Sequence, residues 1–76
     1  MQELIEYLVR ELVDDPSAVR IEPADDQGYV VYHVHVAPSD LGKVIGRRGR
    51  IANALRVVAK AAGLKTRQRA TVEIIS

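Results

Sequence analysis

Val44-Ile45-Gly46-Arg47-Arg48-Gly49-Arg50-Ile51 sets two glycines, with two arginines between them, at the junction of two helical patterns. Before it, Leu41, Val44 and Ile45 form the apolar face of a short helix, with Ser39 as its cap and Asp40 in its first turn. After it, Ala52, Leu55, Ala59 and Ala62 make the stripe of a second helix running from about Arg50 to Ala62. Gly63 suits a left-handed C-cap, and Leu64 supplies the apolar contact that usually follows one. Glycine permits positive φ and lets another backbone come close, so Gly46 and Gly49 are expected to leave room for a ligand's backbone. The first turn of the next helix offers free N–H groups and the positive end of its dipole, both suited to an anion.

Outward from this junction the period changes. Tyr29 to Val36 alternates as a strand, with Val30, Tyr32, Val34 and Val36 on one face and Tyr29, Val31, His33 and His35 on the other. Pro23 to Gly28 reads as a turn, preceded by a short strand around Val19 and Ile21. Leu4, Ile5, Leu8, Val9, Leu12 and Val13 form an amphipathic first helix over residues 2–14, ended by Asp14-Asp15-Pro16. Lys65 to Arg69 is a basic loop and Ala70 to Ile75 a last strand. The expected fold is α+β in the order α-β-β-α-α-β, a three-stranded sheet covered by three helices. A chain of 76 residues allows one domain with a modest core.

The net charge of +1 conceals a division. Between Leu41 and Val72 lie nine basic residues and no acidic one, whereas all ten acids lie elsewhere with only Arg10 and Arg20. Unopposed cations on one half of a small domain point to a polyanion partner. With no cysteine, a disulfide framework and a thiolate metal site are excluded. The acidic start is unlike a signal peptide and no apolar run spans a bilayer, so a soluble cytoplasmic protein without membrane attachment is expected.

The G-x-x-G turn between helices, within this element order, resembles the KH domain, whose GXXG loop clamps about four nucleotides of single-stranded RNA. The extra helix and strand lie before the β-α-α-β core (residues 29–76), as in the type II arrangement. Val36 to Gly46 and Gly49 to Arg56 are similar to the small RNA-binding members of this family in bacteria. The resemblance implies a non-enzymatic RNA binder with an RNA-chaperone role. It also implies a homodimer, or a heterodimer with a larger KH protein, and a part in cell-envelope and cell-length control. Carried onto this chain, it places Gly46, Arg47, Arg48 and Gly49 on the RNA backbone. Lys43, Arg50 and Arg56 extend the positive track. The base-facing wall falls to Leu41, Val44, Ile45, Ile51 and the Tyr29–Val36 strand, with Val44 and Ile51 as its partly exposed members and Leu41 and Ile45 at least as well suited to the core. Ile51 suits a dimer contact equally well. Where many KH domains carry a large aliphatic residue three positions after the loop this chain has Ala52, which implies a shallower groove.

Other chemistry fits less well. The glycines lack the spacing of a dinucleotide fingerprint and the Gly-Lys-Ser/Thr of a P-loop. Without Phe or Trp, an aromatic stacking platform is not expected, and binding should depend on salt with a slope of roughly −0.7 per phosphate. His33 and His35 share a strand face, but no cysteine or nearby acid completes a tetrahedral set, so neither a metal nor any other cofactor is expected. Asp14-Asp15 and Asp25-Asp26 read as turn residues. Two further function classes stay open from the residues alone. One is a helix-turn-helix binder of duplex DNA using Arg50 to Lys60. The other is an interaction subunit that dimerises through the second helix and the Val31/His33/His35 face.

Overall fold

The computed structural model describes residues Met1–Ser76. Its elements are α1 (Gln2–Leu12), β1 (Arg20–Asp26), β2 (Tyr29–His35), α2 (Leu41–Ile45), α3 (Arg50–Lys65) and β3 (Arg69–Ile74), with short 3₁₀ turns at Pro16–Ala18, Pro38–Asp40 and Arg47–Gly49. β2 is the central strand, antiparallel to β1 and parallel to β3. The sheet is mixed, three-stranded and covered on one face by the three α-helices, as the sequence predicts.

The core follows from the strand alternation. Val30, Tyr32 and Val34 point inward from β2 and meet Ile21 of β1, Ala70 and Val72 of β3, Ile5 and Val9 of α1, and Leu55 and Ala59 of α3. Every one of these side chains is buried, so each contributes about 1.5–3 kcal/mol where it is large and aliphatic.

The first strand runs further than the sequence suggests. Pro23 to Asp26, expected as turn, belong to β1, and the turn shrinks to Gln27-Gly28. Both turn residues have positive φ (55° and 83°), the two-residue geometry whose twist matches that of the flanking strands. The amide of Gly28 donates to Asp25 Oδ1 at 3.1 Å, which holds the turn. Pro23 is tolerated because β1 is an edge strand, where a missing N–H leaves no ladder bond unmade.

Two helix ends also differ from expectation. α1 stops at Leu12 instead of Asp14, because the amides of Asp14 and Asp15 turn away to the carboxylate of Asp40. α3 continues past Gly63 to Lys65. Gly63 is buried inside the helix; a Cβ there would lie 2.4 Å from the carbonyl oxygen of Gln68. Its role is close approach of the following chain, while Arg67 (φ 58°) is the residue that turns left-handed beyond the helix.

Candidate nucleic-acid interface

α2 ends at Gly46, whose φ of 75° and ψ of 171° lie where essentially only glycine is found. The chain then makes a single tight turn, closed by Gly49 N–H donating to Gly46 O at 3.1 Å. Arg48 (φ 58°, ψ 26°) and Gly49 (φ 72°, ψ 15°) are both left-handed. This conformation presents Arg47 and Arg48 at an exposed tip, with exposed Arg50 beginning α3 directly behind them. None of the three forms an ion pair. No side chain caps α3, so the positive end of a 16-residue helix also faces this tip.

The two glycines have different reasons to be there. A Cβ on Gly46 would fall 2.3 Å from Cγ1 of Ile51 and 2.9 Å from its backbone nitrogen, so this glycine is demanded by the protein's own packing. A Cβ on Gly49 would meet nothing within 4 Å. Only at Gly49 is there open space of the kind expected at both positions.

Several predicted site residues lie elsewhere. Val44 is fully buried and Ile45 is 38% exposed, the reverse of the expected wall. In this short helix Val44 faces the core and Leu41 is half-buried beside it, while Ile45 points outward. Lys43 is drawn back to the protein, where its ammonium bonds Asp14 and lies 3.3 Å from Asp40 Oδ1, so its charge is already matched. The bond to Asp14, reinforced by Asp40, holds the Lys43 ammonium above its usual pKa against the opposing effect of burial. Asp40 is the one buried charged residue; the Asp14 amide above all, then the Asp15 amide and Lys43, keep its carboxyl below the usual range, against burial. Ser39 makes no cap bond. The sequence gives Asp40 away only as a lone acid beside the basic half.

Ile51 turns toward α1, where it shares an apolar groove of about 290 Å³ with Leu8, Leu12, Ala54, Leu55 and Val58. Ala52 is buried in the core face of α3 and lines no groove. Nor does the Tyr29–Val36 strand offer a free edge, because β2 is paired on both sides. The unpaired edges are those of β1 and β3, and the one beside α3 is that of β3. There Arg56 Nε donates to Val72 O at 3.0 Å while Nη1 bonds Asn53 Oδ1 at 2.8 Å, which fixes the guanidinium along that edge. On the open face of the sheet, acids do stand beside the histidines. His35 Nε2 is 2.6 Å from Glu22 Oε1 and His33 Nε2 is 3.7 Å from Glu73 Oε2. They form separate pairs, and no group of three potential metal ligands occurs. No helix is long and apolar enough to cross a membrane.

A β-α-α-β core with parallel strands, a G-x-x-G turn between its helices, and an added helix and strand before it define a type II KH domain. The family model described as "KhpA/KhpB, KH domain" matches residues 2–74. Relatives named "RNA-binding protein KhpA" align with nearly the whole chain. That of Caldanaerobacter subterraneus subsp. tengcongensis is 45% identical over 75 residues, covering 99% of this chain and 100% of its own. That of Clostridium acetobutylicum is 44% identical with the same coverage. The Aquifex aeolicus protein is 40% identical over 75 residues, 99% of this chain and 95% of its own. The chain belongs to the KhpA/KhpB KH-domain family.

Proposed function

We propose that this protein binds single-stranded RNA non-covalently, gripping the sugar-phosphate backbone at the Gly46–Gly49 turn. The observation that carries this reading is the set of unpaired Arg47, Arg48 and Arg50 around a left-handed Gly49 with open space before it. Phosphate oxygens meet the three guanidiniums and the helix end, and the absent Cβ of Gly49 lets the strand lie close. Arg56 extends the cationic path along β3, whereas Lys43 serves the fold. The name borne by the relatives supports RNA as the polyanion. Contacts to phosphate carry no sequence information, so modest base discrimination and a chaperone-like use of many RNAs follow. The family's implied part in cell-envelope and cell-length control would be exercised through those RNAs.

The test is Arg47→Asp with Arg48→Asp. Both side chains are exposed, so far-UV dichroism and melting should be unchanged. Affinity for single-stranded RNA should fall at least about tenfold, from two lost charge-assisted contacts. Unchanged affinity at moderate salt, or a preference for duplex DNA in competition, would overturn the reading.

For a protein partner, we infer a second KH chain, either another copy or a KhpB-type protein. The apolar α1–α3 groove, with Leu12 at 36% exposure beside Glu11 on its rim, supports this reading. Sedimentation of the protein alone and mixed with a KhpB-type chain checks it: a monomer in both would refute it.

A further inference from the structure

α3 carries a stripe that the core does not use. Asn53, Arg56, Lys60 and Leu64 recur at three- and four-residue spacing, all exposed, on the flank that adjoins β3. Ile75 N–H donates inward to Val34 O, so strand alternation turns the peptide groups of Val72 to the open edge, where Arg56 meets its carbonyl. The stripe therefore runs from the arginine turn along the only free edge beside α3.

It ends in a second concavity. A cavity of about 320 Å³ is lined by Tyr29, Lys60, Leu64, Gln68, Arg69 and Ala70. Tyr29 is 41% exposed and stands opposite Arg69 in the β2–β3 register. Neither Lys60 nor Arg69 has an acidic partner. Of the other tyrosines, Tyr32 is buried in the core and Tyr7, on α1, lines neither cavity. The cavity lies where β2 and β3 begin and α3 ends, so that Tyr29 and Leu64 offer apolar surface to a base, Gln68 an amide for its edge, and Lys60 and Arg69 two unpaired cations for a phosphate, together the complement of a nucleotide. On the other flank of Tyr29 lies Asp26 of β1, its register partner, which repels phosphate and leaves the α3–β3 flank as the approach. Lys60 is ten residues beyond Arg50, on the order of 15 Å along the helix.

We propose that this cavity is a second RNA subsite: a strand held at the arginine turn continues along the β3 edge, and a nucleotide beyond the turn docks here. Its base stacks on Tyr29 and its phosphate lies between Lys60 and Arg69. The inference rests on the RNA reading of the turn and extends it to an anchoring point that sequence composition argues against.

Single-stranded oligonucleotides of about four and about eight nucleotides, titrated by fluorescence anisotropy, test it. The wild type should bind the longer one more tightly. Tyr29→Ala should lose about fivefold or more on the longer oligonucleotide, in line with one stacked base, and nothing on the shorter. Tyr29→Phe should retain wild-type binding. Lys60→Gln should reduce the salt slope by about 0.7 for the longer oligonucleotide alone. No gain with length, equal losses on both lengths, or an effect of Lys60→Gln without one of Tyr29→Ala would overturn the subsite. Those outcomes leave the turn untouched. Failure of the turn appears separately, as wild-type affinity for both lengths in the Arg47→Asp/Arg48→Asp protein, and it removes the subsite as well.

Discussion

The two glycines of one four-residue motif should respond differently to the same substitution. In Gly46→Ala the new Cβ enters at φ 75°, ψ 171° and 2.3 Å from Ile51 Cγ1. The backbone region costs about 1–3 kcal/mol and the overpacking about 1–3 more, so a loss of about 3–4 kcal/mol is expected. A chain of this size has about 4–11 kcal/mol in total, and each kcal/mol lowers the melting temperature by about 4–8 °C. Gly46→Ala should therefore melt at least about 12 °C below wild type. Adding Ile51→Ala should restore only part of that, because the backbone nitrogen of Ile51 still lies 2.9 Å from the Cβ. Gly49→Ala meets nothing and has only the left-handed conformation to bear, about 1–2 kcal/mol. Its melting should fall modestly while its RNA affinity, measured well below the transition, falls by more than the unfolded fraction explains. Thermal and urea unfolding followed by circular dichroism, paired with anisotropy, make the comparison. Equal melting temperatures for the two variants would refute the packing argument. Wild-type affinity in Gly49→Ala would refute the claim that the open space at Gly49 receives the ligand.

Gly63→Ala should also lower the melting temperature, though less than Gly46→Ala, because its Cβ would press on the Gln68 carbonyl at 2.4 Å while its backbone is helical; a wild-type melting temperature would refute this. Asp40→Asn should lower the melting temperature, since one amide oxygen replaces two carboxylate oxygens that each accept a backbone N–H at 3.1 Å; unchanged melting would refute it. The same cluster sets a pH dependence. Asp40's carboxyl is lowered in the fold, so its stabilisation is complete above the usual carboxylate value of about 4 and disappears as pH falls through the folded value. Lys43 is raised, so its contribution is complete below the usual lysine value of about 10.4 and is lost as pH rises through the folded one. Urea unfolding across pH should show both limbs in the wild type, with the acid limb reduced in Asp40→Asn.

The element order, the strand faces and the basic half were all legible locally. Val30, Tyr32 and Val34 alternate with His33 and His35, and only the apolar set is buried. What misled was proximity in sequence. Pro23-Ala24-Asp25-Asp26 has turn composition, yet β2 supplies a partner that holds it as strand. Lys43 sits beside the arginine turn in the chain, but its charge is matched by Asp14, distant in sequence. Asp40 reads in sequence only as an acid of a first helical turn and is in the structure the buried acceptor for two backbone amides.

By itself the sequence determined that a G-R-R-G turn would join two helices in a basic half of a small α+β protein. Periodicity, glycine and charge act over a few residues and can be read in order. Only the tertiary structure decided which glycine is held by the protein and which stands open. It alone turned Val44 inward and Ile45 outward, and brought Tyr29, Lys60 and Arg69 to one cavity. Those outcomes depend on which surfaces meet after the chain folds back, and spacing along the chain does not encode them.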